Sequence, residues 1–302
     1  MTLEQLRIFV AVAEREHVTR AAGDLNLTQS ATSAAVAALE ARYQTKLFDR
    51  VGRRISLTDA GRLFLTEAKA VLARATAAEL VLADLAGLKA GALSLAASQT
   101  VGNYWLPRFI HAFRSAHPGI SVTLTIGNTE TVAAMVRAGE ANLGFVEGPV
   151  EEQSLMTTVV AEDEMVLVAP SGHDWVRARK RGKIDLTSAR WVLRELGSGT
   201  RSILEPLLKR EGIPLAALDV SLVMPTNESV RAAVEAGAGV TVLSRLVVDK
   251  AIRTGTLALV DHPVPRRPFT LLRHTDRYAT AGEKEFVRLI GELTAEAAGR
   301  GA

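Results

Sequence analysis

The stretch TRAAGDLNLTQSATSAAVAALEARYQTKL, Thr19 to Leu47, leaves this chain few folds to choose from. An alanine-rich helical pattern runs from Val18 to Leu25 and breaks at Asn26. Thr28 follows, a hydroxyl residue of the kind that caps a helix N-terminus. A second helical run then places Ala31, Ala35, Ala38 and Leu39, with Val36 beside them, at the spacing of one helix face. Two short helices, small residues at their crossing and a tight turn predict a helix-turn-helix, whose second helix enters the DNA major groove by its N-terminal end. That end reads Thr28-Gln29-Ser30-Ala31-Thr32-Ser33. The side chains of Thr28, Gln29, Ser30, Thr32 and Ser33 are short, polar and able to hydrogen-bond, as reading base edges requires. An ordinary αα-hairpin would share the periodicity, so the flanking sequence has to decide.

Upstream, Thr2 to Arg15 predicts an amphipathic helix with Leu3, Leu6, Phe9, Val10 and Ala13 on one face, completing a three-helix core. Downstream, KLFDRVGRRISLTDAG turns Leu47 and Phe48 inward and clusters Arg50, Arg53 and Arg54 around a glycine turn. A small β-turn carrying arginines is the shape of a wing suited to phosphates or a narrow minor groove. From Thr58-Asp59 a long helix follows. Its apolar positions Phe64, Ala68, Val71, Ala75, Ala78, Leu82 and Leu85 alternate in steps of four and three. That seam asks for a partner helix, and pairing meets a physical need, because one recognition helix reads too few base pairs.

From Ala92 the pattern changes to α/β. ALSLAAS, ISVTLTI and NLGFVE alternate with helices and imply a parallel sheet. A second series begins near Leu186 and includes WVLREL, SLVMP and VTVLS. Extended crossings near Val160 to Glu164 and Pro263 to Phe269 suggest two lobes with a cleft between them. The chain has 302 residues, nearly half of them hydrophobic, a net charge of +3 and no cysteine. This excludes disulfide and thiolate chemistry and permits an anionic partner without demanding one. The acid-bearing N-terminus is neither a signal peptide nor a membrane span, so a cytoplasmic protein with no membrane partner is expected.

Taken together, LEQLRIFVAVAE, TRAAGDLNLTQSATSAAVAALE, LFDR with GRRISLTDAG, GSGTR and NESVRAAVEAGAGVTVLS resemble a LysR-type transcriptional regulator over essentially the whole chain. The segments ASQTVGNYWLP, GSGTR and NESVR are also similar, more weakly, to the branch that regulates sulfur assimilation and carbon fixation. The resemblance implies an α + α/β chain: a winged helix-turn-helix at 1–58, a dimerising linker helix at 59–90, and a two-lobed, periplasmic-binding-protein-like effector domain at 91–302. One lobe is expected at about 91–161 and 268–302, the other at about 162–267. Dimers through the linker commonly assemble as tetramers in this family. The chain departs from it where Ser30 replaces a common proline and Ala34 and Ala35 replace longer polar residues, which leaves base reading to Gln29, Ser30, Thr32 and Ser33.

The resemblance puts the effector in the cleft, where several strand ends run into polar loops that open helices. Helix N-termini present unpaired N–H groups and partial positive charge, so hydroxyls converging there make an anion site that needs no cofactor or metal. The expected residues are Ser98, Thr100, Asn128, Thr129, Ser198, Gly199, Thr200 and Arg201, with Glu147 and Asn227 at the rim. Arg201 would clamp a sulfur oxyanion, sugar phosphate or carboxylate, or else pair with Glu205 one helical turn on. The glycines of GSGTR lack the Lys-Ser/Thr ending of a phosphate loop, and the six histidines show no metal spacing. An alternative reading is an α/β binding protein or enzyme with a helical add-on. It lacks a secretion signal and any evident nucleophile–base pair. A non-specific architectural DNA binder would want more positive charge.

Overall fold

The fold begins with a reciprocal cap. The Thr2 hydroxyl accepts the Gln5 N–H at 3.1 Å while the Gln5 side chain accepts the Thr2 N–H at 3.0 Å, fixing the start of α1 (Leu3–Arg15). This computed structural model describes residues 1–51, 54–85, 91–177 and 184–299. Two compact units emerge, residues 1–86 and the bulk of 87–302.

In the first unit, α2 (Val18–Asp24) and α3 (Gln29–Tyr43) are joined by a turn in which Asn26 takes a φ of 55°. Asparagine is among the few residue types that enter this left-handed region at low cost. Leu6, Phe9, Ala13 and Leu39 form the core with Leu47, and Phe9 packs its ring 4.8 Å from that of Phe64. A hairpin of β1 (Phe48–Val51) and β2 (Arg54–Leu57) follows, with Arg50 opposite Ile55 and Val51 opposite Arg54. Its base is tied to α3 by the Glu40 carboxylate, which accepts the N–H groups of Leu47 and Phe48 at 2.8 and 3.2 Å.

The long helix α4 (Asp59–Leu85) starts where the Thr58 hydroxyl accepts the Gly61 N–H at 2.9 Å and donates to the Lys46 carbonyl at 2.8 Å. Gly61 packs so closely on the preceding loop that a Cβ there would sit 2.1 Å from the Leu47 carbonyl oxygen. The expected seam divides in two. Phe64 and Ala68 are consumed by the unit's own core, whereas Val71 is 42% and Leu82 69% exposed. The side chain of Leu85 lies outside the described residues. Along the expected seam the uncovered apolar positions, Val71 and Leu82, lie in the middle and C-terminal part of α4, so the stripe is not uniform; Leu63, outside the seam, is also exposed, at 75%.

The second unit is built from two sheets-and-helices lobes. In the first lobe a five-stranded sheet has the order β4-β3-β5-β12-β6, formed by β3 (Gly91–Ser98), β4 (Ile120–Gly127), β5 (Leu143–Val146), β6 (Leu155–Asp163) and β12 (Arg267–His274). β4, β3 and β5, the three strands expected to be parallel, are so; β12 is antiparallel to both its neighbours, so the sheet as a whole is mixed. Helices α5 (Pro107–Ala116) and α12 (Ala281–Gly299) cover one face through Phe109, Phe113 and Phe286, and α6 (Thr129–Ala138) covers the other through Val132 and Val136. The helix expected from Tyr104 is preceded by a wider π-type turn, Val101–Trp105.

The second lobe contains the antiparallel sheet β10-β7-β11, from β7 (Met165–Pro170), β10 (Thr241–Ser244) and β11 (Leu257–Leu259). The parallel pair β8 (Arg190–Arg194) and β9 (Asp219–Met224) adjoins it through a bridge from Trp191 to Val240. Around these lie α7 (Asp174–Arg177), α8 (Gly199–Ser202), α9 (Leu204–Glu211), α10 (Asn227–Glu235) and α11 (Arg245–Arg253). The chain passes between lobes at Glu164, from β6 to β7, and again on entering β12. Among the described residues no helix is long and apolar enough to cross a membrane, and no cluster of His, Asp and Glu could hold a metal ion.

Candidate functional site

At the entrance to α3 the Thr28 hydroxyl accepts the Ala31 N–H at 3.2 Å and lies 3.0 Å from Ser30 Oγ, so Thr28 is the cap and also part of the exposed edge. Gln29 and Ser30 are exposed and Ser33 half-buried. Thr32 is a correction. It is wholly buried, and its hydroxyl donates to the Thr28 carbonyl at 3.0 Å, so the first turn holds it inward rather than at the surface. Ala31 and Ala38 take the opposite course: both expected to pack inward, they are exposed. The free face of α3 is therefore narrow and low, with Gln29 and Ser30 at its tip and alanines behind. Arg53 lies outside the described residues; for Arg50 and Arg54 the backbone alone is described, on the paired strands of the hairpin.

In the second unit most of the expected effector residues converge where the lobes meet. Ser98, Thr100, Thr129 and Glu147 come from strand ends and helix starts of the first lobe, and Ser198, Thr200 and Asn227 from those of the second. At their centre stands a residue that the sequence reading missed, Arg267, only 3% exposed. Its Nε and Nη2 reach Asp163 Oδ2 at 2.8 and 2.7 Å. Its remaining N–H groups donate to Thr100 Oγ1 at 3.2 Å and Thr200 Oγ1 at 3.3 Å. Glu147 Oε1 lies 3.7 Å away. The other oxygen of Asp163 accepts from Ser244 at 2.6 Å. A second missed arginine, Arg194 at the end of β8, makes a two-pronged pair with Glu195 at 2.7 and 2.8 Å and also donates to Asn227 Oδ1. Asn227 in turn donates to Thr100 at 3.0 Å. The sequence signal was there: a charged residue closing an apolar strand, in WVLRE, or opening one, in RRPFTLL, is tolerated inside the fold only with a buried partner.

Glu147 and Asn227 were expected at the rim, and both lie in the centre, 5% and 0% exposed. The cause is the close approach of the lobes. A Cβ on Gly199 would lie 2.6 Å from the Gly148 nitrogen, so the chain crosses here on two facing glycines. Burial raises the Glu147 pKa, and Arg267 only partly offsets it. Two atoms in this otherwise satisfied knot have no hydrogen-bond partner among the described residues, Glu147 Oε2 and Thr129 Oγ1. Arg201 is another correction. It stands outside the knot and donates to the Arg194 carbonyl at 2.9 Å rather than to Glu205. Asn128 serves α6, its Oδ1 accepting the Thr131 N–H at 2.9 Å, and Ser98 donates to the Phe145 carbonyl.

A clasp closes the far side. Gln99 donates to the Pro225 carbonyl at 3.0 Å and accepts the Asn227 N–H at 2.9 Å, and the Tyr104 hydroxyl donates to Glu228 at 2.9 Å. Burial, and then Glu228, push the Tyr104 pKa up to about 12. Beyond the glycine contact a cavity of about 470 Å3 opens, lined by Thr129, Ser198, Gly199 and Arg201 among others. Glu130, Glu151, Glu152 and Glu205 also line it, against Arg137 and Arg201, so its wall is not cationic.

A helix-turn-helix with an open reading tip, followed by a two-lobed α/β unit with polar groups gathered between the lobes, defines a one-component transcriptional regulator. Residues 3–62 match the bacterial regulatory helix-turn-helix proteins of the lysR family, and residues 86–295 match the LysR substrate binding domain. The chain belongs to the LysR family of transcriptional regulators and carries that family's effector-binding domain. It is 34% identical to the Uncharacterized HTH-type transcriptional regulator YeiE of Escherichia coli (strain K12), over 95% of this chain and 96% of that one. The fold is similar to full-length CbnR complexed with its target DNA, with a TM-score of 0.71, 24% identity and coverage of 97% and 99%. It is also similar to the regulatory domain of CcmR from Synechocystis PCC6803 in complex with 2-PG, with a TM-score of 0.60, 25% identity and coverage of 68% and 97%. Membership sets aside the readings as a solute-binding protein or an enzyme.

Proposed function

We propose that two copies of the chain, paired through the exposed C-terminal part of α4, lay their α3 tips into successive major grooves of promoter DNA. Pairs of such dimers form the tetramer. A small anion between the lobes of the second unit shifts the population of assemblies and so retunes binding. The observation that carries the effector half is the pair of unpartnered buried atoms, Glu147 Oε2, on a side chain 3.7 Å from Arg267, and Thr129 Oγ1, at the Gly148–Gly199 contact. Buried polar groups are normally satisfied, and unpaired ones mark a place for a ligand or water. Burial favours the protonated form of the Glu147 carboxyl, which is a donor rather than a negative charge. Glu147, Thr129, Thr100 and the Arg267 guanidinium then make a set that suits an oxyanion. The CcmR domain with 2-PG supports a small ligand for this domain type, and CbnR with its target DNA supports the DNA half.

The test is a thermal-shift screen of sulfate, thiosulfate, 2-phosphoglycolate and citrate on the full-length protein, repeated on Thr100→Ala and Glu147→Gln. An anion that raises the melting temperature of the wild type in proportion to its concentration, but not that of Thr100→Ala, identifies chemistry and site together. Glu147→Gln should retain binding and lose its pH dependence, because affinity in the wild type falls as pH rises and Glu147 ionises. Equal responses from wild type and Thr100→Ala would overturn the reading.

A further inference from the structure

Inside the first lobe, apart from the polar knot, a second cavity of about 280 Å3 lies between β6 and β12 on one side and α12 on the other. That is room for roughly nine water molecules at liquid density. Most of its wall is apolar, from Leu143, Leu271 and Val287 with Met156 at the edge. Three charged residues interrupt it, Arg273, Glu283 and Lys284. Among the described residues neither cation has a carboxylate within ion-pair distance. Arg273 makes a weak contact of 3.5 Å to the Met156 sulfur, and Lys284 lies 5.2 Å over the Tyr278 ring. Glu283 is 5% exposed, and its carboxylate accepts from the Thr280 hydroxyl, at 3.3 Å, and from the Thr280 N–H.

We propose that this cavity binds a small amphipathic monocarboxylate, its acid head at Arg273 and Lys284 and its apolar body against Leu143, Leu271 and Val287. Two cations with no carboxylate within ion-pair distance among the described residues, at an apolar hollow, call for one negative charge joined to a hydrocarbon; Glu283 acts on both only from farther off. An amine would be repelled, and a multiply charged phosphate would leave the apolar wall unused. A void left by loose packing would be lined by apolar groups alone. Burial keeps the Glu283 carboxyl protonated up to about pH 7, so it does not neutralise the pair and can donate a hydrogen bond to the acid head. The site is a separate input from the inter-lobe anion. Its walls are the strands whose far ends carry the ion pair between the lobes, since Met156 and Asp163 both lie on β6, and Leu271 and Arg267 both lie on β12. A bound acid would therefore bear on the same two strands that cross between lobes.

The experiment is isothermal titration of the full-length protein at pH 6.5 with hexanoate, with hexan-1-ol and hexylamine as head-group controls. Hexanoate should bind saturably and more tightly than either control. Arg273→Met and Lys284→Met should each weaken it about tenfold or more, as the loss of a charge-assisted contact implies. Val287→Phe, which fills the hollow and leaves the charges, should abolish it. Lys284 is exposed, so that variant tests the head group even if Arg273→Met does not fold. Hexan-1-ol binding as well as hexanoate would overturn the proposal, and so would hexanoate affinity unchanged in Lys284→Met. Sulfate and 2-phosphoglycolate titrations on Lys284→Met run alongside, and an unchanged response there keeps this site distinct from the inter-lobe one.

Discussion

Glu283→Gln is expected to stabilise the second unit at alkaline pH and to leave it unchanged in acid. In the fold, burial raises the carboxyl pKa from 4.5 to about 7. The group is an acid whose folded pKa lies above its unfolded value. Its contribution to stability is therefore complete below about pH 4.5 and lost as pH rises through 7. At 1.36 kcal/mol per unit the shift corresponds to about 3 kcal/mol, which the solvent reaching the cavity mouth reduces to about 2 kcal/mol. Glutamine keeps the shape and cannot ionise, so it should remove this cost. The three tryptophans, Trp105, Trp175 and Trp191, all lie in the second unit, so urea unfolding followed by their fluorescence reports that unit alone. The variant should exceed the wild type by about 2 kcal/mol at pH 8.5, with the difference closing toward pH 4.5. A difference independent of pH, or a variant weaker at both ends, would refute the reasoning.

Arg267→Met should cost the second unit about 3–5 kcal/mol by leaving Asp163 buried without its partner; tryptophan-detected unfolding reads it, and Arg267→Met with Asp163→Leu should recover a large part. Gly61→Ala, which drives a Cβ into the Leu47 carbonyl, should destabilise the first unit by about 2 kcal/mol or more and abolish binding to promoter fragments, while the tryptophan transition stays in place. Gln29→Ala should weaken promoter binding by about 1–3 kcal/mol in fluorescence anisotropy, with helicity and melting unchanged. Thr32→Val should act in the opposite sense on the two readouts, because its hydroxyl serves the helix and never reaches the surface.

What the sequence disclosed was whatever repeats or punctuates locally. The turn at Asn26, the cap at Thr28, the long helix after Thr58 and the strand–helix alternation from Ala92 follow from nearest-neighbour physics, and each stands in the fold. The polar loops before α6, α8 and α10 were legible for the same reason. Arg267 and Asp163 were not: they are 104 residues apart, and their pairing exists only once β6 and β12 lie side by side. Thr32 was misjudged because one step of 100° around a helix separates a reading residue from a core one. The rim positions of Glu147 and Asn227 failed likewise, since the sequence does not reveal how tightly two lobes close. The uniform seam on α4 failed because α1 claims its first turns.

Gly148 and Gly199 meet with no room for a methyl group on either side. A single alanine at one of them would act as a wedge driven into the joint, prising the upper and lower jaws apart without touching a single charged group. Constitutive variants, locked in one signalling state whatever metabolite is present, should therefore arise most readily from these two codons.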